Sequence, residues 1–503
     1  MQTHVNRGLA WIGAASSFVG LLDVVATFLI LNLWVDYRDL GIATKAVWLF
    51  PILDQATDLG LSAAVIQRDD HSESRISTVF WINVALGTLL FLVVAGVAPL
   101  LASFSGHAIV GWMLVAYSTK LLFQNIYGIP STLMKRELRF KELSVIRILA
   151  NIAEFTGKVG FAAAGFSIWC FVLGPLCRIV VTAVGVQLRH PWRPKMIANL
   201  RDAREYISFG LKASGSQILF YFYTNVDYPI VGYFFGDVAL GLYRLAYEIV
   251  LEPVRIISNV VVDVAFPAFA KLRHAPERLS AQLVSFTKLN LIAVMLFSAV
   301  VFVAATELIT TIVPKWATIY ELHIATWTFT PLPSGVDLGI RILVAVAVLR
   351  SLSFVLPPLL DGVGRPDRTF AYMSTAAIAL PILFITSAIV LGPSLGWQSV
   401  AVGWAVGYPI AFAVLVYLAI HTLRWSTIAY LRSIAGVAMC MLLAGVVAWG
   451  VHYALGAVPG GVRLAVTAIV VVLVAGLLLA YTQGLSLRTA TRALKGDADS
   501  EAA

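Results

Sequence analysis

The sequence predicts an all-α integral membrane protein with about fourteen transmembrane helices. Three observations support this fold class. Of the 503 residues, 59% are hydrophobic and only 13% are charged. Apolar runs long enough to cross a bilayer recur along the whole chain. Soluble domains carry roughly 25% charged residues, so a soluble protein of this composition would have to expose much of its apolar surface.

The predicted spans follow from the requirement for roughly 20 predominantly apolar residues per transmembrane helix. The first run, from Gly8 to about Val35, is too long for a removable signal peptide and lacks a small-residue cleavage site. In chain order the spans lie near residues 9–34, 42–66, 76–101, 108–128, 143–164, 166–187, 207–232, 238–268, 281–304, 338–361, 369–391, 396–422, 428–452 and 462–484.

Basic residues indicate the orientation of these spans. They concentrate in the even-numbered connections, as in the run that contains Lys135 and Arg139, and in the C-terminal tail. The odd-numbered connections offer little beyond Arg38, Lys315 and Arg463. The positive-inside rule then predicts that the even-numbered side and both termini are cytoplasmic.

The predicted domain organisation has two six-helix lobes around a central cavity and an additional C-terminal helix pair. The longest basic, proline-containing connection runs from Arg189 to Arg204 and divides the lobes. The predicted limits are 1–188 for the N-terminal lobe, 189–206 for a cytoplasmic linker, 207–424 for the C-terminal lobe, 425–484 for the extra pair and 485–503 for a cytoplasmic tail.

The two halves of the sequence share a weak similarity at an offset of 200 residues. Five identities carry it: Ser16, Ile30, Leu40, Gly41 and Ala46 recur as Ser216, Ile230, Leu240, Gly241 and Ala246. Chance and an internal repeat both remain open on this observation. A repeat would suit a transporter, because many transporters consist of two repeated bundles with the substrate path between them.

Polar side chains form stripes on two predicted helices. Ionisable groups in the hydrocarbon core cost about 2.5–3.5 kcal/mol each on insertion scales, so they usually face a cavity or a partner. The polar side chains of the eighth span recur at helical intervals on one face. Pro253 is expected to kink the same span. The stripes are Arg244, Glu248, Glu252, Arg255, Asn259 and Asp263 in the eighth span, and Arg147, Asn151, Glu154 and Lys158 in the fifth.

Two interpretations of these stripes are open. Pairs such as Glu154 with Lys158 could neutralise each other within one helix, or the stripes could line a water-filled central cavity. The unbroken line of six favours the cavity. Lys120 in the fourth span and Lys212 in the seventh are further candidate cavity residues, as are Asp23, Asp54, Asp337 and Arg341. A lone carboxylate near a span end, such as Asp227, is more typical of a helix cap.

Several function classes are excluded by missing motifs. The chain has no GxxxxGK[ST] phosphate loop, no HExxH, no GxSxG and no Cys/His metal spacing. We therefore predict that it is not an enzyme and needs no metal or cofactor. Its basic residues form no patch, so no nucleic-acid partner is expected.

Four segments resemble the lipid-linked oligosaccharide flippases of bacterial polysaccharide export, a branch of the multidrug/oligosaccharidyl-lipid/polysaccharide transporter superfamily. The resemblance covers roughly residues 10–425, and it departs from the family in the long region Thr318–Gly335. The segments are Asp58–Arg68 (DLGLSAAVIQR), Arg136–Phe140 (RELRF), Asp227–Tyr247 (DYPIVGYFFGDVALGLYRLAY, then Pro253 and Phe266-Pro267) and Gly364–Asp367 (GRPD).

This resemblance implies an inner-membrane flippase that works by alternating access. Its substrate would be an undecaprenyl-diphosphate-linked oligosaccharide repeat unit for exopolysaccharide, O-antigen or capsule assembly. Membrane lipids are expected partners, and a polysaccharide polymerase and export machinery are candidate ones. A cavity with basic groups would attract the diphosphate, and we predict Arg244, Arg255, Lys120, Lys158 and Lys212 as its candidate anion contacts. The candidates for coupling to protons or sodium ions are Glu154, Glu248, Glu252 and Asp263.

Three alternatives stay open. A cation-coupled drug or metabolite antiporter of the same superfamily would need a more apolar cavity with fewer basic residues. A membrane-embedded glycan polymerase would need a large outer loop with paired basic residues, which the sequence does not show. A scaffold for a biosynthetic complex would tolerate neutralisation of both polar stripes.

Overall fold

The computed structural model describes residues 18–20, 22–58, 65, 73–197, 214–314, 335–456 and 458–483. Helices account for the regular structure of these residues. An apolar helix, Phe18–Leu33, comes first. A further helical stretch covers residues 214–223. The helices whose two ends are described are α1 (Tyr37–Val47), α2 (Phe50–Asp58), α3 (Glu73–Ser105), α4 (Ala108–Arg136), α5 (Phe140–Ala163), α6 (Cys170–Arg189), α7 (Asp227–Leu272), α8 (Pro276–Val303), α9 (Ala305–Ile312), α10 (Gly335–Gly362), α11 (Pro366–Val390), α12 (Gly392–Leu395), α13 (Gln398–Thr422), α14 (Thr427–Ala454) and α15 (Gly460–Gln483).

The predicted all-α membrane fold class is confirmed. Within the described residues, eight helices are long and apolar enough to cross a membrane: α3, α6, α8, α10, α11, α13, α14 and α15. The helices α4, α5 and α7 fall outside this set. The helices α5 and α7 carry the two predicted polar stripes, and α4 carries the candidate Lys120. The count of fourteen spans stays a prediction.

The second predicted span, 42–66, differs from the structure. It contains two helices, α1 and α2, which are separated at Trp48 and Leu49. Pro51 explains the break, since proline has no backbone N–H to bond to the carbonyl of Val47 but is tolerated in the first turn of a new helix. The sequence signal was therefore present in the Phe50-Pro51 pair.

The chain forms two compact units, Met1–Arg244 and Leu245–Ala503. In unit 1, α4 packs against α3 and α6, and α5 packs against α6. In unit 2, α13 packs against α10 and α11, and α8 and α15 pack against α14. The predicted lobe limits stay a prediction.

The long helix α7 is bent at Gly236. Its φ of 81° and ψ of −174° lie outside the helical region, in a conformation that glycine adopts at little cost. This break lies between the seventh and eighth predicted spans, 207–232 and 238–268. The expected kink at Pro253 is not a break of the same kind, because the non-helical backbone angles inside α7 occur at Gly236.

Within unit 1, α1 and α7 cross at two glycines. A methyl group on Gly41 would overlap the carbonyl oxygen of Asp237, and one on Gly241 would overlap the carbonyl oxygen of Tyr37. The contact is reciprocal: each glycine meets the residue four positions before the other, and both pairs are 200 residues apart. Two equivalent helices around a local twofold axis produce this pattern. It favours an internal repeat over chance for the weak similarity in the sequence.

Candidate functional site

Unit 1 contains a cavity of about 550 Å³. One face of α4 forms its longest wall, with lining residues at intervals of four, three, four and four. Residues with that spacing lie above one another on a helix. At 1.5 Å per residue, the wall extends for roughly 22 Å. These residues are Lys120, Gln124, Tyr127, Ser131 and Lys135.

The remaining walls come from α5, α6 and α2. Arg147 and Asn151 of α5, Arg178 and Thr182 of α6, and Asp54 of α2 supply their polar groups. Among the residues that the structure describes, four cationic side chains and a single carboxylate line this cavity: Lys120, Lys135, Arg147 and Arg178 against Asp54. The lining is therefore strongly positive and suits an anionic ligand.

Lys120 is the most enclosed of these cations. Its side chain is only 5% exposed, and its Nζ donates to Oδ2 of Asp54 at 2.7 Å. The same Nζ lies 4.5 Å from the ring centroid of Tyr117 and 5.1 Å from that of Phe50. Aromatic faces attract cations at such distances, so two adjacent rings and the carboxylate together hold the ammonium group.

A chain of alternating charges leads from α5 to the cavity. Asp23 bonds Lys158 at 2.7 Å, Lys158 bonds Glu154 at 3.0 Å, and Glu154 lies 3.0 Å from Arg178. Arg178, at the end of this chain, lines the main cavity. A void of about 10 Å³ beside Asn151, Glu154 and Lys158 has room for about one water molecule. Glu154 fixes Arg178 in place and balances its charge. The four cations of the lining still outnumber Asp54 and Glu154 together.

Both interpretations of the fifth-span stripe have support in the structure. Arg147 and Asn151 line the cavity, as the wet-chamber interpretation expects. Glu154 and Lys158 form an ion pair four residues apart on one helix, as the intrahelical interpretation expects. The transport roles assigned to Glu154 and Lys158 stay predictions.

The eighth-span stripe lies on the single helix α7. None of its six side chains is buried: Arg244, Glu248, Glu252 and Asn259 are partly exposed, and Arg255 and Asp263 are exposed. Arg255 pairs with Glu252 at 2.6 Å, and the guanidinium of Arg244 lies 5.3 Å from the ring of Tyr228. The stripe is thus not sealed in dry helix contacts. Lys212 lies outside the described residues.

Other candidates from the sequence have local partners. Asp227 is fully buried at the start of α7, where it accepts from the Tyr228 backbone N–H and the Tyr243 hydroxyl. This is the capping role expected for it. Asp337 pairs with Arg341 one turn later at 3.0 Å.

Arg178 is a site residue that the sequence reasoning missed. It is the only charged side chain between Lys158 and Arg189, within a predicted transmembrane span. A lone arginine in such a run is itself a signal, because a charge at that depth needs a partner or a cavity. Its partner Glu154 lies on a different helix, so no periodic pattern pointed to the pair.

An ionic cluster lies near the N-terminal end of α4, opposite the end that carries Lys135. The Asp237 carboxylate lies 2.5 Å from Nζ of Lys45 and 2.6 Å from Nε2 of His107. Lys45 also donates to the Ser105 carbonyl at 3.2 Å. This cluster reinforces the glycine crossing of α1 and α7, on the side that the basic residues predict to be outer.

Asp237 lies between two predicted spans, and its surroundings lower its pKa. Burial alone would raise the pKa, but the hydrogen bonds from Lys45 and His107 and their charges outweigh that effect. A lowered pKa in the folded state means that the carboxylate stabilises the fold above its ordinary pKa of about 3.8. That contribution disappears as the pH falls through the folded-state value.

We therefore expect the stabilising effect of Asp237 to persist at pH 5, to weaken as the pH falls below about 4, and to disappear once the pH is below the lowered folded-state pKa. The measurement compares thermal unfolding of the wild type and Asp237→Asn in nanodiscs at several pH values. The wild type should unfold at a higher temperature at pH 7 and pH 5, with the difference lost at the lowest pH. A difference already absent at pH 5 would contradict the ionised cluster.

The sequence matches the model of a family described as "Polysaccharide biosynthesis protein" over residues 35–320. The chain belongs to this family. Similar curated relatives include the teichuronic acid biosynthesis protein TuaB of Bacillus subtilis (strain 168), which is 26% identical over 459 residues, or 89% of each chain. The lipopolysaccharide biosynthesis protein WzxC of Escherichia coli (strain K12) is 24% identical, over 80% of this chain and 78% of that protein.

Solved structures share the fold. The lipid II flippase MurJ, in an inward closed conformation, has a TM-score of 0.68 at 13% identity, over 93% of this chain and 98% of that chain. An inward-facing multidrug resistance transporter of the MATE family, from the MOP superfamily, has a TM-score of 0.61 at 14% identity, over 82% and 98%. The predicted polysaccharide branch is confirmed by the family match, and the solved structures share the predicted fold. This family member is a multi-pass bacterial membrane protein related to transporters, not an enzyme.

Proposed function

We propose that this family member is a flippase for undecaprenyl-diphosphate-linked oligosaccharide repeat units. It would move them across the inner membrane by alternating access, for assembly of exopolysaccharide, O-antigen or capsule. The observation that carries this proposal is the positively charged cavity of unit 1. The names of TuaB and WzxC support the glycan class of the substrate.

The chemistry of the cavity suits the head group of such a lipid. The lipid tail can stay in the bilayer, but a diphosphate and its sugars cannot cross hydrocarbon without hydrogen-bonding partners. Lys120 and Arg178 offer charge-assisted hydrogen bonds to the phosphates. The amides and hydroxyls of Gln124, Ser131 and Thr182 can bond sugar hydroxyls. A volume of about 550 Å³ lies within the usual range for small-molecule sites.

The proposed direction of transport follows from the predicted orientation of the helices in the membrane. Lys135, near the end of α4 and the basic connection after it, lines one end of the cavity. If that connection is cytoplasmic, the head group enters from the cytoplasmic side and both termini face the cytoplasm. Arg244, Arg255 and Lys212 remain proposed anion contacts. Lys158 remains one only for a state of the transport cycle in which its pairs with Asp23 and Glu154 open. Glu154, Glu248, Glu252 and Asp263 remain proposed groups for ion coupling.

A leaflet-resolved assay of lipid-linked oligosaccharide tests the function. In a strain that lacks this protein, the labelled lipid-linked repeat unit should accumulate in the cytoplasmic leaflet, and the wild-type gene should restore its appearance in the outer leaflet. Normal outer-leaflet levels without the protein would overturn the proposal.

The drug antiporter predicts a different result. The fold resembles a multidrug transporter, but four cations in the cavity would repel cationic drugs. We therefore expect deletion to leave resistance to such drugs unchanged while the glycan phenotype appears.

A further inference from the structure

In the ion pair between Lys120 and Asp54, the lysine is fixed by more contacts than the aspartate. Lys120 is enclosed by the rings of Phe50 and Tyr117 as well as by the carboxylate. Asp54 bonds Lys120 through Oδ2 alone. Its other oxygen, Oδ1, is buried and has no hydrogen-bond partner among the residues that the structure describes, an arrangement that costs free energy and that the carboxylate loses when it moves into water. The cation therefore keeps its position if the pair separates, whereas the carboxylate is the partner that can leave.

The solvent exposure of the two side chains also indicates that Asp54 is the partner that can leave. The Asp54 side chain is 34% exposed and the Lys120 side chain 5%. Both line the 550 Å³ cavity. A carboxylate with this exposure can be hydrated after it leaves the ammonium group. A buried ammonium group left without an anion would be strongly destabilised.

We infer that Asp54 is a displaceable counterion, and that a phosphate of the substrate takes its place on Lys120. This inference rests on the proposed function and adds a residue that sets specificity and release. Binding then exchanges one anion for another on a fixed cation. When the phosphate leaves, Asp54 returns, so Lys120 is never left unpaired.

The exchange has a consequence for selectivity. A ligand must offset the loss of the Asp54 pair, so an uncharged sugar gains little from Lys120. A diphosphate brings two charged groups, one for Lys120 and one for another cation of the same cavity, such as Arg178. The pair with Asp54 therefore rejects neutral glycans and weakens diphosphate binding enough to permit release.

Asp23 provides a control that separates exposure from access to the cavity, because its side chain is 56% exposed but does not line the 550 Å³ cavity. It also bonds a buried lysine, Lys158, at 2.7 Å. Lys158 is held by Glu154 as well, and the void beside this pair, about 10 Å³, is too small for a diphosphate. Displacement by substrate is therefore not expected at Asp23.

The test measures binding of inorganic pyrophosphate to the purified full-length protein in nanodiscs by calorimetry. Asp54→Asn should bind pyrophosphate about tenfold more tightly than the wild type, because the competing charge is gone. Asp54→Ala should change affinity in the same direction, and Asp23→Asn should not tighten binding. Lys120→Ala should weaken binding in either background.

Equal or weaker affinity in both Asp54 variants, with folded protein, would overturn the inference. If neither variant folds, infrared difference spectra of the wild type decide. Binding of pyrophosphate should shift the stretching band of the displaced carboxylate. An unshifted band would also overturn the inference. The leaflet assay reads the proposed function separately. If the Asp54 variants bind pyrophosphate with wild-type affinity and the leaflet assay is positive, the proposed function stands and only the counterion exchange is wrong.

Discussion

Lys120→Ala should lower export of the polysaccharide about 10- to 100-fold at normal protein abundance. A hydrogen bond to a charged group contributes about 1.5–3 kcal/mol, and each 1.4 kcal/mol is about a factor of ten. Lys120 is fixed in the cavity by two aromatic rings, so no neighbouring side chain can take its position. Export is measured as surface polysaccharide per cell, with the protein quantified by immunoblot.

Two variants serve as controls for Lys120→Ala. Lys120→Arg keeps the charge and should retain much of the export. Lys195→Ala removes a lysine whose side chain is 58% exposed and pairs with Glu73 at the surface, and export should stay near the wild-type level. Wild-type export by Lys120→Ala would show that the cavity of unit 1 is not the transport route.

Gly41→Ala and Gly241→Ala should each destabilise the protein by about 1–3 kcal/mol, the usual range for overpacking. In both cases the new methyl group overlaps a backbone carbonyl oxygen of the other helix, which cannot rotate away as a side chain could. Because the contact is reciprocal, the two losses should be similar. Thermal unfolding in nanodiscs measures them.

Gly160→Ala is the matched control for this pair. Gly160 also lies inside a helix, but a methyl group there would meet no atom within 4 Å. Alanine is the better helix former, by about 1 kcal/mol, so this variant should be as stable as the wild type or more so. If Gly41→Ala were as stable as Gly160→Ala, the close crossing of α1 and α7 would be wrong.

Hydropathy predicted most of the fold because the bilayer fixes both the length and the composition of a span. The predicted spans 143–164 and 428–452 differ from α5 and α14 by only a few residues. Polar residues at helical spacing also predicted part of the site, since a cavity wall needs one polar face on each helix. Arg147 and Asn151 were found in this way, whereas Lys120 was a lone charged candidate in the fourth span.

Pairing between helices could not be predicted from the sequence. Arg178 and Glu154 belong to α6 and α5, and His107 and Asp237 lie 130 residues apart. Spacing along one helix says nothing about such contacts, because they depend on which helices become neighbours. For the same reason, the sequence showed the polar stripes but not which of their members reach a cavity.

The reciprocal crossing of Gly41 and Gly241 bears on how the protein evolved. A half-length ancestor could have met a second copy of itself at this glycine, with identical residues on both sides. The ion pair of Lys45 with Asp237 has no counterpart on the other side of the axis today, because the equivalent positions hold Leu245 and Tyr37. Fusion of the two copies into one gene would have let each half diverge, so that this ionic contact stands on one side of the twofold axis alone.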